Sequence, residues 1–260
     1  MQGHQARKRF GQHFLADAHY IARIVDAIAP QPGDNLVEIG PGLGALTRPL
    51  IVRAGRLAAI EIDRDLAARF ASEFLPEQLK LHVTDALDFD FAAFGPALRV
   101  VGNLPYNISS PMLFHLAQFA NTLTDIHVML QKEVVARMTA LPATPEYGRL
   151  TVMLQAQFRV TRLFTVPAGA FRPAPNVESA VARLVPLGEA KPRIADAALF
   201  GRVVAAAFGQ RRKTMRNALA TLCDASALGA AGVDPAARGE TLAIADFVRL
   251  ANALAAQRAE

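Results

Sequence analysis

Apolar residues along this chain fall into short blocks that alternate with stretches of helical spacing. NLVEIG (35–40), RLAAIEID (56–63), LKLHVTD (79–85), ALRVVGN (97–103) and DIHVML (125–130) are short, apolar and bounded by turn residues, which predicts buried strands. Between them ALTRPLIVRA, RDLAARFASEF and SPMLFHLAQFA repeat apolar positions near the helical period. Strand–helix alternation of this kind predicts a parallel sheet with helices on both faces. FRVTRLFTVP and ESAVARLVPL predict two more strands on either side of the Pro-rich FRPAPNV. Little helix separates them, so the last strands are expected to pair antiparallel.

After VPLGEAKPRIAD, punctuated by Pro186, Gly188 and Pro192, the texture becomes helical to the end of the chain. The expected division is a first domain over 1–188 and an all-helical second domain over 189–260. A length of 260 residues allows a substantial core, and 52% hydrophobic with 20% charged residues excludes a disordered chain. The formal charge is +5 and 23 of the 28 basic residues are Arg. That suits an acidic partner such as RNA or DNA, although coding bias produces the same composition. A single cysteine, Cys223, excludes a disulfide framework within the chain and fits a cytosolic home. The six His lack paired spacings, so no metal is expected. The basic N-terminus lacks the apolar centre of a signal peptide and no apolar run is long enough for a bilayer, so a soluble, cytoplasmic protein is expected.

VEIGPGLGALT places Gly40, Gly42 and Gly44 where the first strand gives way to a helix, allowing a tight turn and close approach of a ligand. Gly40, Gly42 and Ala45 satisfy the dinucleotide fingerprint, so the loop alone does not separate NAD from other adenosine-bearing cofactors. Glu61 closes the second strand, where a carboxylate can accept from both hydroxyls of a ribose. Asp85 follows the third strand, placed to accept from an adenine amino group. Glu38, just before the glycines, adds negative charge. Acidic strand ends, with no Lys or Arg beside the loop to hold a pyrophosphate, fit S-adenosylmethionine, a cationic cofactor without phosphates. The plainer reading is a glycine turn flanked by solvated acids.

GNLPYN (102–107) ends a strand with an amide, a proline and an aromatic ring in succession. An adenine amino group is a poor nucleophile until it pyramidalises, and two acceptors aimed at its N–H bonds favour that geometry. The Asn103 side-chain carbonyl and the Leu104 main-chain carbonyl are the candidate acceptors. Pro105 fixes the backbone and cannot donate a competing bond. Tyr106 offers a ring face for the base. The alternative is a turn whose Tyr packs on the core.

With GQHFL (11–15), VEIGPGLGALT (37–47), AIEIDRDL (59–66), TDALDFD (84–90), GNLPYNISSP (102–111), MLQKEVVARM (129–138), FRPAPNVESAVARL (171–184) and AFGQRRKTMRNAL (207–219), the chain resembles the KsgA/RsmA family of ribosomal RNA adenine N6-dimethyltransferases over essentially its full length. The resemblance implies a seven-stranded Rossmann-like methyltransferase domain and a small all-helical C-terminal domain. It implies transfer of four methyl groups from S-adenosylmethionine to two adjacent adenosines near the 3′ end of 16S rRNA in the small (30S) ribosomal subunit, late in assembly. By position it makes His13, Leu15, Gly40, Glu61, Asp85 and Asn103 cofactor contacts, Gly42 lying in the same loop. His13 departs from the family, many of whose members have Asn there, so its contact depends on tautomer.

Phe171, between Pro-stiffened segments, is expected to face Tyr106 and complete an aromatic sandwich around a flipped base, core filler being the other reading. Arg7-Lys8-Arg9 and Arg211-Arg212-Lys213 with Arg216 are candidate phosphate contacts or solvated faces. No general base stands beside the 103–106 segment. A family that dimethylates one adenosine of large-subunit rRNA is the nearest alternative, and the 171–181 and 207–219 segments favour the small-subunit enzyme. An assembly factor whose methylation is incidental is a second class. An NAD-dependent oxidoreductase is a third, and it leaves Asn103 to Tyr106 unexplained. A monomer is expected.

Overall fold

The computed structural model describes residues 13–210 and 212–258. The described residues begin with β1 (Phe14–Leu15), α1 (Ala18–Ile28), β2 (Asn35–Ile39), α2 (Thr47–Ala54), β3 (Leu57–Glu61), α3 (Arg64–Glu73) and β4 (Leu79–Val83). It continues through β5 (Leu98–Asn103), α4 (Ser109–Gln118), β6 (Leu123–Gln131), α5 (Lys132–Met138), α6 (Arg149–Gln155) and β7 (Phe158–Val166). Then come β8 (Phe171–Arg172), β9 (Ser179–Pro186), α7 (Ala197–Gly209), α8 (Met215–Ala218), α9 (Ala225–Ala230) and α10 (Ile244–Gln257). The seven strands predicted from apolar blocks all form, within a few residues of their expected ends.

Those seven make one sheet in the order β4-β3-β2-β5-β6-β9-β7. Its β2–β6 ladders are parallel, and β9 runs antiparallel to β6. This is the expected Rossmann-like α/β sheet. The two remaining strands, β1 and β8, form a small antiparallel ribbon with Leu15 opposite Phe171.

Helix α1 lies outside the helices predicted from the pattern, yet its cause is local. The Asp17 carboxylate accepts from the N–H groups of His19 and Tyr20, capping the first turn. Ile24, Val25 and Ile28 then share one face and are buried with Leu50 and Ile51 of α2, Val101 of β5 and Met129 of β6.

The described chain divides into two compact units, one taking residues up to Val135 with Val160–Pro186, the other Ala136–Arg159 with the residues from Leu187 on. The boundary expected at 188/189 therefore needs correction, because residues 136–159 group with the helical unit. Tyr147, Val152 and Ala156 are buried in the same apolar cluster as Leu199, Phe200 and Val203 of α7 and Phe247 and Leu250 of α10. The Tyr147 hydroxyl also donates to the Leu242 carbonyl at 2.8 Å. Packing between segments so far apart in the chain leaves no mark on local apolar spacing. Among the described residues no helix is long and apolar enough to cross a membrane.

Candidate active site

The chain builds β2, β3 and β4 outward in one direction and then crosses back to place β5 on the other side of β2. Ligands of open α/β sheets bind at the carboxyl ends of strands where the order reverses in this way. Gly40 follows β2, Glu61 ends β3, Asp85 lies just past β4 and Asn103 ends β5. Since these strands are parallel, their ends meet around one cavity of about 310 Å³. His13, Leu15, Gly40, Gly42, Glu61, Asp85, Asn103, Leu104, Pro105 and Tyr106 all line it.

Phe171 does not, and its expected place in an aromatic sandwich is corrected. It is 0% exposed and belongs to the core beneath β1, packed with Leu15, Val166 and Val181. It stands opposite Leu15 in the β1–β8 ribbon, and both side chains are buried.

In the glycine loop, Gly42 has φ +59°, and a Cβ there would come within 3.1 Å of the Phe14 ring. The absent side chain lets Phe14 close down on the loop. The Glu61 carboxylate accepts from the Gly42 N–H at 3.3 Å through one oxygen and from the Asp63 N–H at 2.8 Å through the other. Burial raises the Glu61 carboxyl above its ordinary value, against the pull of those two N–H groups. Glu38 is deeper: burial pushes it up to about 7, opposed by a 2.7 Å bond from the Thr47 hydroxyl and reinforced by the charge of Glu61. Asp85 accepts from the Leu87 N–H at 2.9 Å, which fixes one of its oxygens.

One cation does stand beside the loop, contrary to the expectation. Arg48 donates to the Leu43 carbonyl at 2.7 Å and forms a fork with both oxygens of Glu73. It is committed to those partners, and among the described residues no Lys or Arg lines the cavity. Three carboxylates, Glu38, Glu61 and Asp85, do. That donor set suits a cation and disfavours a pyrophosphate.

The 103–106 turn is set by a close approach. A Cβ on Gly102 would lie 2.8 Å from the Ile39 carbonyl oxygen, a contact with backbone that cannot swing away. Glycine lets β5 run tight against β2 up to Asn103. The Asn103 amide donates to the His13 carbonyl at 3.0 Å, so its own carbonyl oxygen is the end left to accept. The Leu104 N–H is spent on the Met129 carbonyl. The Pro105 carbonyl accepts from the Ile108 N–H and the Ser109 hydroxyl, whereas no donor among the described residues reaches the Leu104 carbonyl. Two acceptors thus remain at the turn, one on a side chain and one on the backbone.

Tyr106 is held at its tip by Ser179, hydroxyl to hydroxyl at 2.8 Å, and burial raises its phenol above the ordinary value. His13 lies against the Tyr106 ring, with centroids 5.5 Å apart and planes at 27°. Ser179, Phe14 and the cavity-lining Ile62 and Asn107 escape the sequence reading. Phe14 sits inside the GQHFL segment and Ser179 inside FRPAPNVES, but nothing local distinguishes them from their neighbours. In the tail cluster Arg212, Lys213 and Arg216 are exposed. Arg211 and the Arg7-Lys8-Arg9 cluster lie outside the described residues.

The model of the ribosomal RNA adenine dimethylase family matches residues 3–256. The chain belongs to that family. This ribosomal RNA adenine dimethylase is similar to the ribosomal RNA small subunit methyltransferase A of Aromatoleum aromaticum, 58% identical over 257 residues that cover 99% of this chain and 97% of the relative. It is 57% identical to the protein of the same name from Thiobacillus denitrificans, over 94% of this chain and 96% of the other. Among solved structures, a dimethyladenosine transferase from Plasmodium falciparum shares the fold, with a TM-score of 0.78 and 24% identity over 92% of this chain and 96% of that one. The 23S rRNA methyltransferase ErmE gives a TM-score of 0.68 at 28% identity, over 93% of this chain and 99% of that one. The cavity thus lies on a fold that this dimethylase shares with both solved structures.

Proposed function

We propose that the protein transfers methyl groups from S-adenosylmethionine to the N6 amino groups of two adjacent adenosines near the 3′ end of 16S rRNA, acting as a monomer on the small ribosomal subunit late in its assembly in the cytoplasm. The observation that carries this is the meeting, in one cavity, of the Asn103 and Leu104 acceptors with Glu61 and the glycine loop. The small-subunit target is supported by relatives of that name at 57 and 58% identity, against 28% for the 23S rRNA methyltransferase.

S-adenosylmethionine, when bound, supplies a methyl group on a positively charged sulfur. Glu61 accepts from ribose hydroxyls in this reading, Asp85 accepts from the adenine amine, and Gly40 and Gly42 let the ligand approach the backbone. His13 and Leu15 border the same space. The Asn103 and Leu104 carbonyls grip the N–H bonds of the target amine, localising its lone pair, and that stabilisation grows toward the transition state. Tyr106 stacks the extruded base. The methylated amine is acidic enough to lose its proton to water, so no side chain has to act as base. After the first transfer one N–H remains, and one of the two acceptors gives up its contact. Arg212, Lys213 and Arg216 are exposed, and any contact they make with phosphates weakens steeply with salt.

The test is incubation with undermethylated small subunits and labelled S-adenosylmethionine, followed by mapping of the modified nucleotides. Label on two adjacent adenosines of 16S rRNA is expected; label on naked large-subunit RNA instead overturns the assignment. Glu61→Ala is expected to abolish labelling, and its sedimentation with small subunits reports any separate assembly role.

A further inference from the structure

We propose that Arg48 is a positioning residue for the cofactor loop: clasped by Glu73, it holds the Leu43 carbonyl and so keeps the glycine loop in the shape that receives S-adenosylmethionine. This rests on the cofactor reading above and deepens it, by naming the side chain that sets the loop from outside the cavity.

Arg48 lies in the first turn of α2, where the partial positive charge of the helix end disfavours a cation. Its contacts account for the place. Nε and Nη2 donate to the two oxygens of Glu73, the last residue of α3, at 2.6 and 2.7 Å, a planar fork that fixes the direction of the guanidinium. Nη1 is thereby aimed at the Leu43 carbonyl, 2.7 Å away. Leu43 lines the cavity, and Arg48 does not. The peptide between Leu43 and Gly44 is held at both ends, since the Gly44 N–H donates to the Pro41 carbonyl at 2.8 Å. Gly44 itself makes room. With φ +82°, a Cβ there would lie 2.5 Å from Arg48 Nη1 and 3.0 Å from the Phe70 ring. The third glycine, which falls outside the dinucleotide fingerprint, lets the guanidinium reach the loop. On the other side Glu61 takes the Gly42 N–H at 3.3 Å. The loop is therefore tied to β3 through one carboxylate and to α3 through the Arg48–Glu73 pair. That pair is partly exposed, 40 and 32% by side chain, so its contribution to overall stability is small. Its effect is preorganisation: a loop already in its bound shape loses less freedom when the ligand arrives.

The experiment compares wild type, Arg48→Ala, Glu73→Gln and the double variant. Direct titration gives the Kd for S-adenosylmethionine and for S-adenosylhomocysteine, thermal unfolding without ligand gives Tm, and amide hydrogen exchange reads the unliganded loop. Arg48→Ala is expected to weaken both ligands equally, about ten-fold, and to speed exchange of the Gly44 N–H by a similar factor, as loss of one hydrogen bond implies. Turnover on undermethylated small subunits at saturating cofactor is expected to stay near that of wild type. Glu73→Gln, at an exposed position, keeps only one acceptor of the fork and is expected to weaken both ligands about two- to three-fold with Tm unchanged. The double variant should lose no more than Arg48→Ala, because the two side chains act as one clasp. If Arg48→Ala does not fold, Glu73→Gln alone decides. A bare charge near the cavity predicts a different pattern: its removal would tighten the cationic ligand and leave S-adenosylhomocysteine unchanged, and that result overturns the proposal. Unchanged Kd values with a lowered Tm would make the pair a structural one, and additive losses in the double variant would separate Arg48 from Glu73; both overturn it. Should wild type bind neither ligand, the cofactor reading falls and the clasp with it, whereas the variant outcomes above sink the clasp alone.

Discussion

The Asn103 side chain donates to the main-chain carbonyl of His13, 90 residues away in the chain, at 3.0 Å. That bond decides which end of the amide is available. With the NH2 end turned to that carbonyl, the side-chain oxygen of Asn103 is the end left to accept, which is the polarity needed to grip an amine.

Asn103→Ala removes that acceptor. Turnover on undermethylated small subunits at saturating cofactor is expected to fall about 10²- to 10³-fold, the usual cost of deleting one directed transition-state hydrogen bond. Near-normal turnover in a single-turnover assay would dismiss the acceptor model.

Ser179→Ala frees the Tyr106 hydroxyl, which loses its 2.8 Å partner. One ordinary hydrogen bond is worth about 0.5–1.5 kcal/mol, so kcat/KM is expected to drop about two- to ten-fold. Tyr106→Phe breaks the same bond from the other side. The double variant should then lose no more than either single one, and additive losses would show that the two residues act separately.

Glu38, pushed up to about 7 by burial, is substantially protonated in neutral solution. A cation bound in the cavity favours its ionised form, so binding expels a proton when pH is below about 7. The Kd for S-adenosylmethionine is expected to rise as pH falls from 8 to 6, by at most about ten-fold per pH unit for one proton. S-adenosylhomocysteine, lacking the sulfonium charge, should show a shallower slope, and Glu38→Gln should flatten the slope for S-adenosylmethionine. Calorimetric titration in buffers of different ionisation enthalpy counts the proton directly; equal slopes for the two ligands would contradict the mechanism.

Stability depends on a different charge cluster. Asp125, at the start of β6, takes a fork from Arg99 at 3.0 and 3.1 Å and a third bond from Arg183 at 3.1 Å, while Arg99 also reaches Asp34 at 2.6 Å. Burial would raise the Asp125 carboxyl, but His127 and Arg99 outweigh it and hold it well below the usual carboxylate range. His127 sits at 3.7 Å, beyond hydrogen-bond distance, so Arg99 is the partner that matters. A folded value below the unfolded one means that Asp125 stabilises the fold above about pH 4, and that this is lost as pH falls toward the folded value. Asp125→Asn is expected to cost about 3–5 kcal/mol at neutral pH by leaving Arg99 undercompensated. Urea midpoints should also fall less steeply in the variant than in wild type below pH 4. Parallel slopes would remove Asp125 from the acid response.

By itself the sequence determined what depends on near neighbours. Apolar blocks with turn residues at their ends specify the seven strands, because a buried strand needs only a short unbroken apolar run. The glycines, Glu61, Asp85 and Asn-Leu-Pro-Tyr were legible because each is attached to a strand end, and parallel strands deliver their ends to one place. The tertiary structure alone decided pairings across long separations. Phe171 is buried in a ribbon whose other strand, with Leu15 opposite it, comes 156 positions earlier, and Tyr106 found Ser179, 73 residues later, through the register of β6 with β9. Tyr147 joined the helical core for the same reason. Strand order and register choose which distant residues meet, and local spacing carries no record of that choice.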